Sequence, residues 1–345
     1  MDAFDPLPLT DALCAELRTR TGATDARPGS RLQQLWSGYG EIRRIHLEHG
    51  PVPTLIAKHV RPPRLSSAAA PAARRSHQRK LQSYAVELAF YEQYASRCPT
   101  TCRIARPYVC QSQPGPSWLF VLEDLDASGY PERRHSFFRP GHRPEEKALA
   151  ACLHWLAHFH AYFLGTRPTG LWEAGTYWHL ATRPDELELC TNRELQQSAS
   201  WLDRQLRLAT YQTLVHGDAK VENFCFSPDA GPSAAVDFQY VGGGVGVQDV
   251  AYFFSSCLDS EGCLQHAPKL LDSYFGTLAS ALKQYQPGVD THKVEAEWRR
   301  LYPIAWADFS RFLSGWAPEH HKVHAYGEHC TKEALASWKR PYSDY

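Results

Sequence analysis

The segment Leu214-Val215-His216-Gly217-Asp218-Ala219-Lys220-Val221-Glu222-Asn223, followed by the apolar run Ala234-Ala235-Val236 ending in Asp237-Phe238-Gln239, constrains this chain more than any other stretch. It reads H-G-D-x-K-x-x-N, then a strand that delivers an acid. Three short strands are predicted around it: Tyr211 to Val215, Asn223 to Phe226, and Ala234 to Val236, with a turn by its chemistry at 227–232. Such a hairpin holds Asp218, Asn223 and Asp237 at one mouth. A polar loop with an Asx turn would explain any one of these residues, but not the set. Asp218 suits a base that accepts the proton of an attacking hydroxyl. Lys220 suits neutralisation of a transferred phosphoryl group, and Asn223 and Asp237 offer hard oxygen ligands for Mg²⁺.

The upstream sequence supplies the rest in order. Leu55-Ile56-Ala57-Lys58-His59-Val60 is an apolar strand with one lysine, suited to the α and β phosphates of ATP. Tyr84 to Tyr91 reads as an amphipathic helix whose Glu87 pairs with Lys58; the alternative is an ordinary surface glutamate. Gly38 and Gly40, in Trp36-Ser37-Gly38-Tyr39-Gly40, would let backbone N–H groups approach phosphates, though a plain hairpin turn explains them equally well. Trp118 to Leu125 is a buried-type strand running into acidic residues, a connector whose backbone at Glu123 and Leu125 would bind adenine. The stretch from Pro62 to Lys80 reads as a mobile loop of Ala, Pro, Ser and basic residues, more a solvated loop than a phosphate attractor.

In these motifs the chain resembles the aminoglycoside phosphotransferase and choline kinase superfamily, and within it the ecdysteroid-kinase-like branch. The resemblance rests on Lys58 with Arg61-Pro62-Pro63, the Glu87-Leu88-Ala89-Phe90-Tyr91 helix and Leu122-Glu123-Asp124-Leu125 with Gly129-Tyr130. It rests further on Leu156-Ala157-His158-Phe159-His160-Ala161, His216 to Asn223, Asp237-Phe238-Gln239 and Asp249-Val250-Ala251-Tyr252-Phe253. It spans roughly residues 30 to 260. It implies an α+β, two-lobed protein-kinase-like fold with a small β-rich N-lobe and a larger helical C-lobe. It also implies ATP, Mg²⁺ and a hydroxyl acceptor, with Asp218 as base, Asn223 and Asp237 as metal ligands, Lys58 on the phosphates and Asp249 bracing the catalytic loop. The division expected is a nucleotide-binding N-lobe over 1–125 and a catalytic, substrate-binding C-lobe over 126–345, joined near 123–127.

Bulk properties narrow the function classes. The chain has 345 residues with 37 basic and 37 acidic side chains, so nucleic acid and anionic membranes are not expected partners. No apolar stretch approaches the ~20 residues of a membrane span, and the acidic segment 1–6 lacks the apolar region of a signal peptide. The ten cysteines form no framework and read as reduced thiols, which points to the cytoplasm. His154, His158 and His160 share a helical run without a third zinc ligand, so they read as core or surface residues, like the histidines at 320, 321, 324 and 329. Trp298, Tyr302, Trp306, Phe309, Phe312 and Trp316 follow helical spacing. A core stripe is the first reading. The second is an acceptor pocket with Trp306, Trp316 and Asp308 as contacts.

Only eleven residues separate Asp237 from Asp249, too few for a protein-kinase activation segment, and Gly242-Gly243-Gly244 reads as a tight turn there. The expectation is therefore an ATP-dependent kinase acting on a small-molecule hydroxyl. The alternative is a catalytically inactive nucleotide-binding module. The acceptor's identity and the oligomeric state are left open.

Overall fold

The computed structural model describes residues 9–134 and 145–339; the segment 1–6, read above for a signal peptide, lies outside them. The chain divides into two compact units, one of Met1–Arg97 with Ile104–Glu132 and one of Cys98–Arg103 with Arg133–Tyr345.

The first unit is built on five antiparallel strands in the order Asp25–Gln34, Gly40–Glu48, Thr54–Val60, Ser117–Glu123, Pro107–Gln113. Because side chains alternate along a strand, each strand serves two faces. On one face Ile45, Leu47, Leu55, Ala57, Leu119 and Val121 close a core with Leu13 and Leu17 of the helix Asp11–Thr21. That helix is capped by the Thr10 hydroxyl, which accepts from the Leu13 N–H at 3.2 Å, and it ends on left-handed Gly22. Lys58 pairs across the sheet with Phe120 and is out of phase with Ala57, so it points to the other face.

The segment expected as a loop over 62–80 is in part helical: one helix runs Pro71–Gln93. Pro71 stands in its first turn, where a missing N–H costs nothing, and the following Ala, Arg, Gln and Lys residues are good helix formers. Their polar character made them look like loop. Ser83, Tyr84, Glu87, Phe90 and Tyr91 form the buried stripe, at the spacing of one helix face.

In the second unit the long helices are Glu146–Tyr162, Arg193–Arg207, Ser260–Tyr285, Thr291–Trp316 and Ala325–Lys339. Two short antiparallel strand pairs flank the loop 216–223: Thr213–Val215 pairs with Gly242–Gly244, and Phe224–Phe226 with Ser233–Ala235. The triple glycine is therefore a strand rather than the tight turn expected. The segment 172–175 lies against it, with the Gly175 N–H donating to the Gly243 carbonyl at 2.7 Å and the Gly243 N–H to the Trp172 carbonyl at 3.1 Å. Side chains on both sides would keep these backbones apart.

The aromatic stripe is mostly core. Trp298, Trp306, Phe309 and Phe312 are almost fully buried, and Trp306 lies against Tyr302, His324 and Tyr326. Asp308 is also interior, held by Arg311 at 2.9 Å. Of the three expected acceptor contacts, Trp306 and Asp308 are thus interior, and Trp316, 53% exposed, is the one at the surface. Trp306→Ala will cost ~3–5 kcal/mol, the usual loss for a large core aromatic. A thermal melt of the variant checks this.

None of the ten cysteines, all within the described residues, forms a disulfide. Among the described residues no helix is long and apolar enough to cross a membrane, and no group of three or more His, Cys, Asp or Glu is placed to hold a metal.

Candidate active site

In the second unit the loop 216–223 is fixed by its own backbone chemistry. Gly217 has φ +79°, and a Cβ there would stand 2.0 Å from the Tyr240 carbonyl oxygen, so only glycine lets the chain turn this closely. The His216 ring spans the loop: its Nε2 lies 3.1 Å from the Val236 carbonyl, and its Nδ1 accepts from the Asp218 N–H at 3.3 Å. These two contacts place the ring proton on Nε2. Asp249, fully buried, accepts the N–H groups of His216 at 2.6 Å and Gly217 at 2.9 Å. Its Oδ2 also meets His160 Nε2 at 3.0 Å, and His160 Nδ1 meets the Tyr274 hydroxyl at 2.8 Å. The bracing that the resemblance implied for Asp249 is present, and His160, expected only as a core or surface histidine in a quoted motif, completes it.

The reactive side chains follow from that frame. The Asn223 amide nitrogen donates twice inward, to the Asp218 carbonyl at 2.7 Å and to Asp218 Oδ2 at 3.0 Å. Both partners are acceptors, which fixes the amide's orientation and turns Asn223 Oδ1 away from Asp218. Lys220 Nζ lies 3.5 Å from Asp218 Oδ2. Burial pushes the Asp218 carboxyl above its ordinary range, against the pull of Lys220, and the charge of Asp237 pushes it the same way. The Asp218 carboxylate in turn raises Lys220. Asp237 adopts left-handed backbone, φ +69°, and accepts from the Gln239 amide at 2.5 Å. A non-glycine residue held there marks a position where geometry outweighs backbone comfort.

The first unit holds the other predicted residues. Lys58 Nζ sits 2.9 and 2.7 Å from the two carboxylate oxygens of Glu87; both side chains are buried, and the ammonium lies near the Tyr84 and Phe120 rings. Alone, either charge would be costly there. Gly38 and Gly40 form a hairpin turn whose amides are used internally, with the Gly38 N–H on the Leu35 carbonyl and the Tyr39 N–H on the Trp36 carbonyl. Gly40 is required for packing, since a Cβ would stand 2.0 Å from the His59 carbonyl oxygen. The hairpin reading of the two glycines thus accounts for them. The connector is anchored by Asp124, whose Oδ2 accepts from Arg44 and from Thr54, each at 2.7 Å. The Glu123 N–H donates to the Arg106 carbonyl, and the Leu125 carbonyl accepts from Tyr130. The Leu125 N–H has no partner among the described residues.

Comparison with known proteins bears on the fold. The model of the ecdysteroid kinase-like family matches residues 180–286. A candidate aminoglycoside phosphotransferase from Ralstonia eutropha superposes with a TM-score of 0.52 at 14% identity, covering 94% of each chain. Choline kinase from Cryptosporidium parvum superposes with a TM-score of 0.51 at 10% identity, covering 95% of each chain. This is a kinase-like fold. The curated protein sequences yield no match. At these identities the likeness establishes the kinase-like fold, and roles within it rest on the residues themselves.

Three residues of the kinase-like C-terminal unit escaped the sequence. The Tyr177 N–H donates to the Gly217 carbonyl at 3.1 Å, which seats Tyr177 beside the loop 216–223. Tyr252 meets it edge to face, 5.4 Å between ring centroids. Burial raises both phenols, and the charge of Asp218 adds to each. Lys322 lies with its ammonium 4.2 Å from the centre of the Tyr252 ring. Tyr252 stood within a quoted motif but without a role of its own, whereas Tyr177 and Lys322 arrive from distant segments with no local signature.

Proposed function

We propose that this chain is an Mg²⁺-dependent kinase that transfers the γ-phosphoryl group of ATP to a hydroxyl of a small molecule. The observation that carries the reading is the Asp218, Lys220 and Asn223 cluster, complete and held rigid by Asp249. Asp218 takes the acceptor proton as the hydroxyl oxygen bonds to the γ-phosphorus and the bond to the β–γ bridging oxygen breaks, releasing ADP. Its raised carboxyl makes it a better base than a solvated aspartate at neutral pH. Lys220 offsets the charge of the transferred group.

The donor set suits the metal. Asn223 Oδ1 and the Asp237 carboxylate are two hard oxygens, and Mg²⁺ prefers one or two such ligands completed by water and phosphate. Bound there, Mg²⁺ supplies charge neutralisation on the phosphates. For the nucleotide, Lys58, fixed by Glu87, is the phosphate contact, in preference to Gly38 and Gly40. The free Leu125 N–H and the Glu123 backbone are the adenine contacts. On this reading the nucleotide-binding part is the unit Met1–Arg97 with Ile104–Glu132 and the catalytic part the other unit, so the expected boundary at 125 moves to Glu132 and Cys98–Arg103 go with the second.

A panel of hydroxyl compounds screened for ADP release in the presence of Mg²⁺ and ATP tests the proposal. Acceptor-dependent ADP release from at least one compound is expected. Tight ATP binding with no turnover on any of them would favour the inactive module.

A further inference from the structure

Beside the catalytic loop stands a wall of rings. From Tyr177 it runs to Tyr240 at 5.8 Å and to Phe312 at 5.4 Å, then from Phe312 to exposed Trp316 at 5.5 Å in stacked geometry. Trp316 leads on to His320 at 5.7 Å. Lys322 follows on the same segment and folds back over Tyr252, which itself packs against Tyr177. The other nearby cations are already matched: Arg183 pairs with Glu186 at 2.9 Å, and Lys220 with Asp218 at 3.5 Å. Lys322 forms no ion pair among the described residues, although it is half-buried. An ammonium group in that setting lacks a directly paired counter-charge.

We propose that Lys322 selects the acceptor by charge, and that the site takes a hydroxyl compound with an apolar body and a carboxylate in preference to one bearing an amine. The rings accommodate the body, and the carboxylate supplies the missing partner of Lys322. An amine in the same place would meet an uncompensated like charge. This rests on the reading of Asp218 as the transfer site. The groups acting on Lys322 are Asp218, Glu222, Lys220 and Cys257, with His320 and His321 just before it. Burial pulls its ammonium down to about 8. Carboxylate affinity should therefore be full below that pH and fall as pH rises through it.

Calorimetric titration of the full chain, without nucleotide, tests the inference with three matched probes: hydroxymethylbenzoate, hydroxymethylbenzamide and a hydroxymethylphenyl trimethylammonium salt. At neutral pH the carboxylate should bind ~10-fold or more tightly than the ammonium, the scale of one charged hydrogen bond. Lys322→Gln should erase that difference and Lys322→Arg should keep it while abolishing the decline near pH 8. If Lys322→Gln melts early, the Arg variant and the wild-type pH profile carry the test. Equal affinities, a preference for the ammonium probe, or no binding of any probe would overturn the inference. A carboxylate preference without ADP release from any acceptor would leave it standing and count against the kinase reading alone.

Discussion

Asp218→Asn lowers turnover ~10²–10⁴-fold, the usual contribution of a positioned base, while the protein melts no earlier than the wild type. The asparagine keeps the shape of the side chain and an oxygen to accept the Asn223 amide, so the loop retains its inward bonds. What it loses is the capacity to take a proton. Stability should not suffer, for a reason that lies in the same carboxyl. Its folded pKa is raised, chiefly by burial. The unfolded chain therefore gives up this proton more readily than the folded one, and stability drains away as pH rises between the two values. At neutral pH the ionised Asp218 works against folding, and asparagine removes that opposition. The wild-type rate should also fall on acidification at a higher pH than an ordinary aspartate would give. Steady-state kinetics beside a thermal melt check both halves. Near-wild-type turnover in the variant would remove Asp218 from the base role.

Asp237→Gly separates function from stability more sharply. The carboxylate is one of two proposed metal oxygens, and without it Mg²⁺-dependent nucleotide binding should be lost. Yet Asp237 occupies left-handed backbone at φ +69°, a conformation that costs a non-glycine residue of order 1–3 kcal/mol. Glycine adopts it freely. The same change removes a negative charge that acts on Asp218. The expected variant is therefore inactive and as stable as the wild type or more so, with the Gln239 hydrogen bond among the contacts it gives up. Calorimetry with Mg²⁺ and ATP, paired with a denaturant melt, reads both effects. Unchanged Mg²⁺-dependent ATP affinity would refute the ligand assignment.

Much of the site was legible because its chemistry is local. Gly217, Asp218, Lys220 and Asn223 act within one loop, so their spacing carries their geometry. The Lys58–Glu87 ion pair was legible for a different reason: an apolar strand with one lysine and a buried helix face with one glutamate each need the other. The helix from Pro71 was missed because Ala, Arg and Lys serve an exposed helix as readily as a loop. Helical spacing found the stripe from Trp298 to Trp316 but cannot tell which end meets solvent. That depends on the helix Ala325–Lys339, whose Tyr326 packs on Trp306. Lys322 and Tyr177 were illegible in principle, because their meaning lies in contacts that only the folded chain makes.

The central claim is transfer to an acceptor oxygen, and phosphorus NMR of a complete reaction tests it most directly. With ATP, Mg²⁺ and an acceptor found by ADP release, the account predicts one phosphoester on the acceptor for each ADP formed, and none with Asp218→Asn over the same interval. ADP accompanied only by free inorganic phosphate, or a phosphoester formed equally by the Asp218→Asn protein, would contradict it.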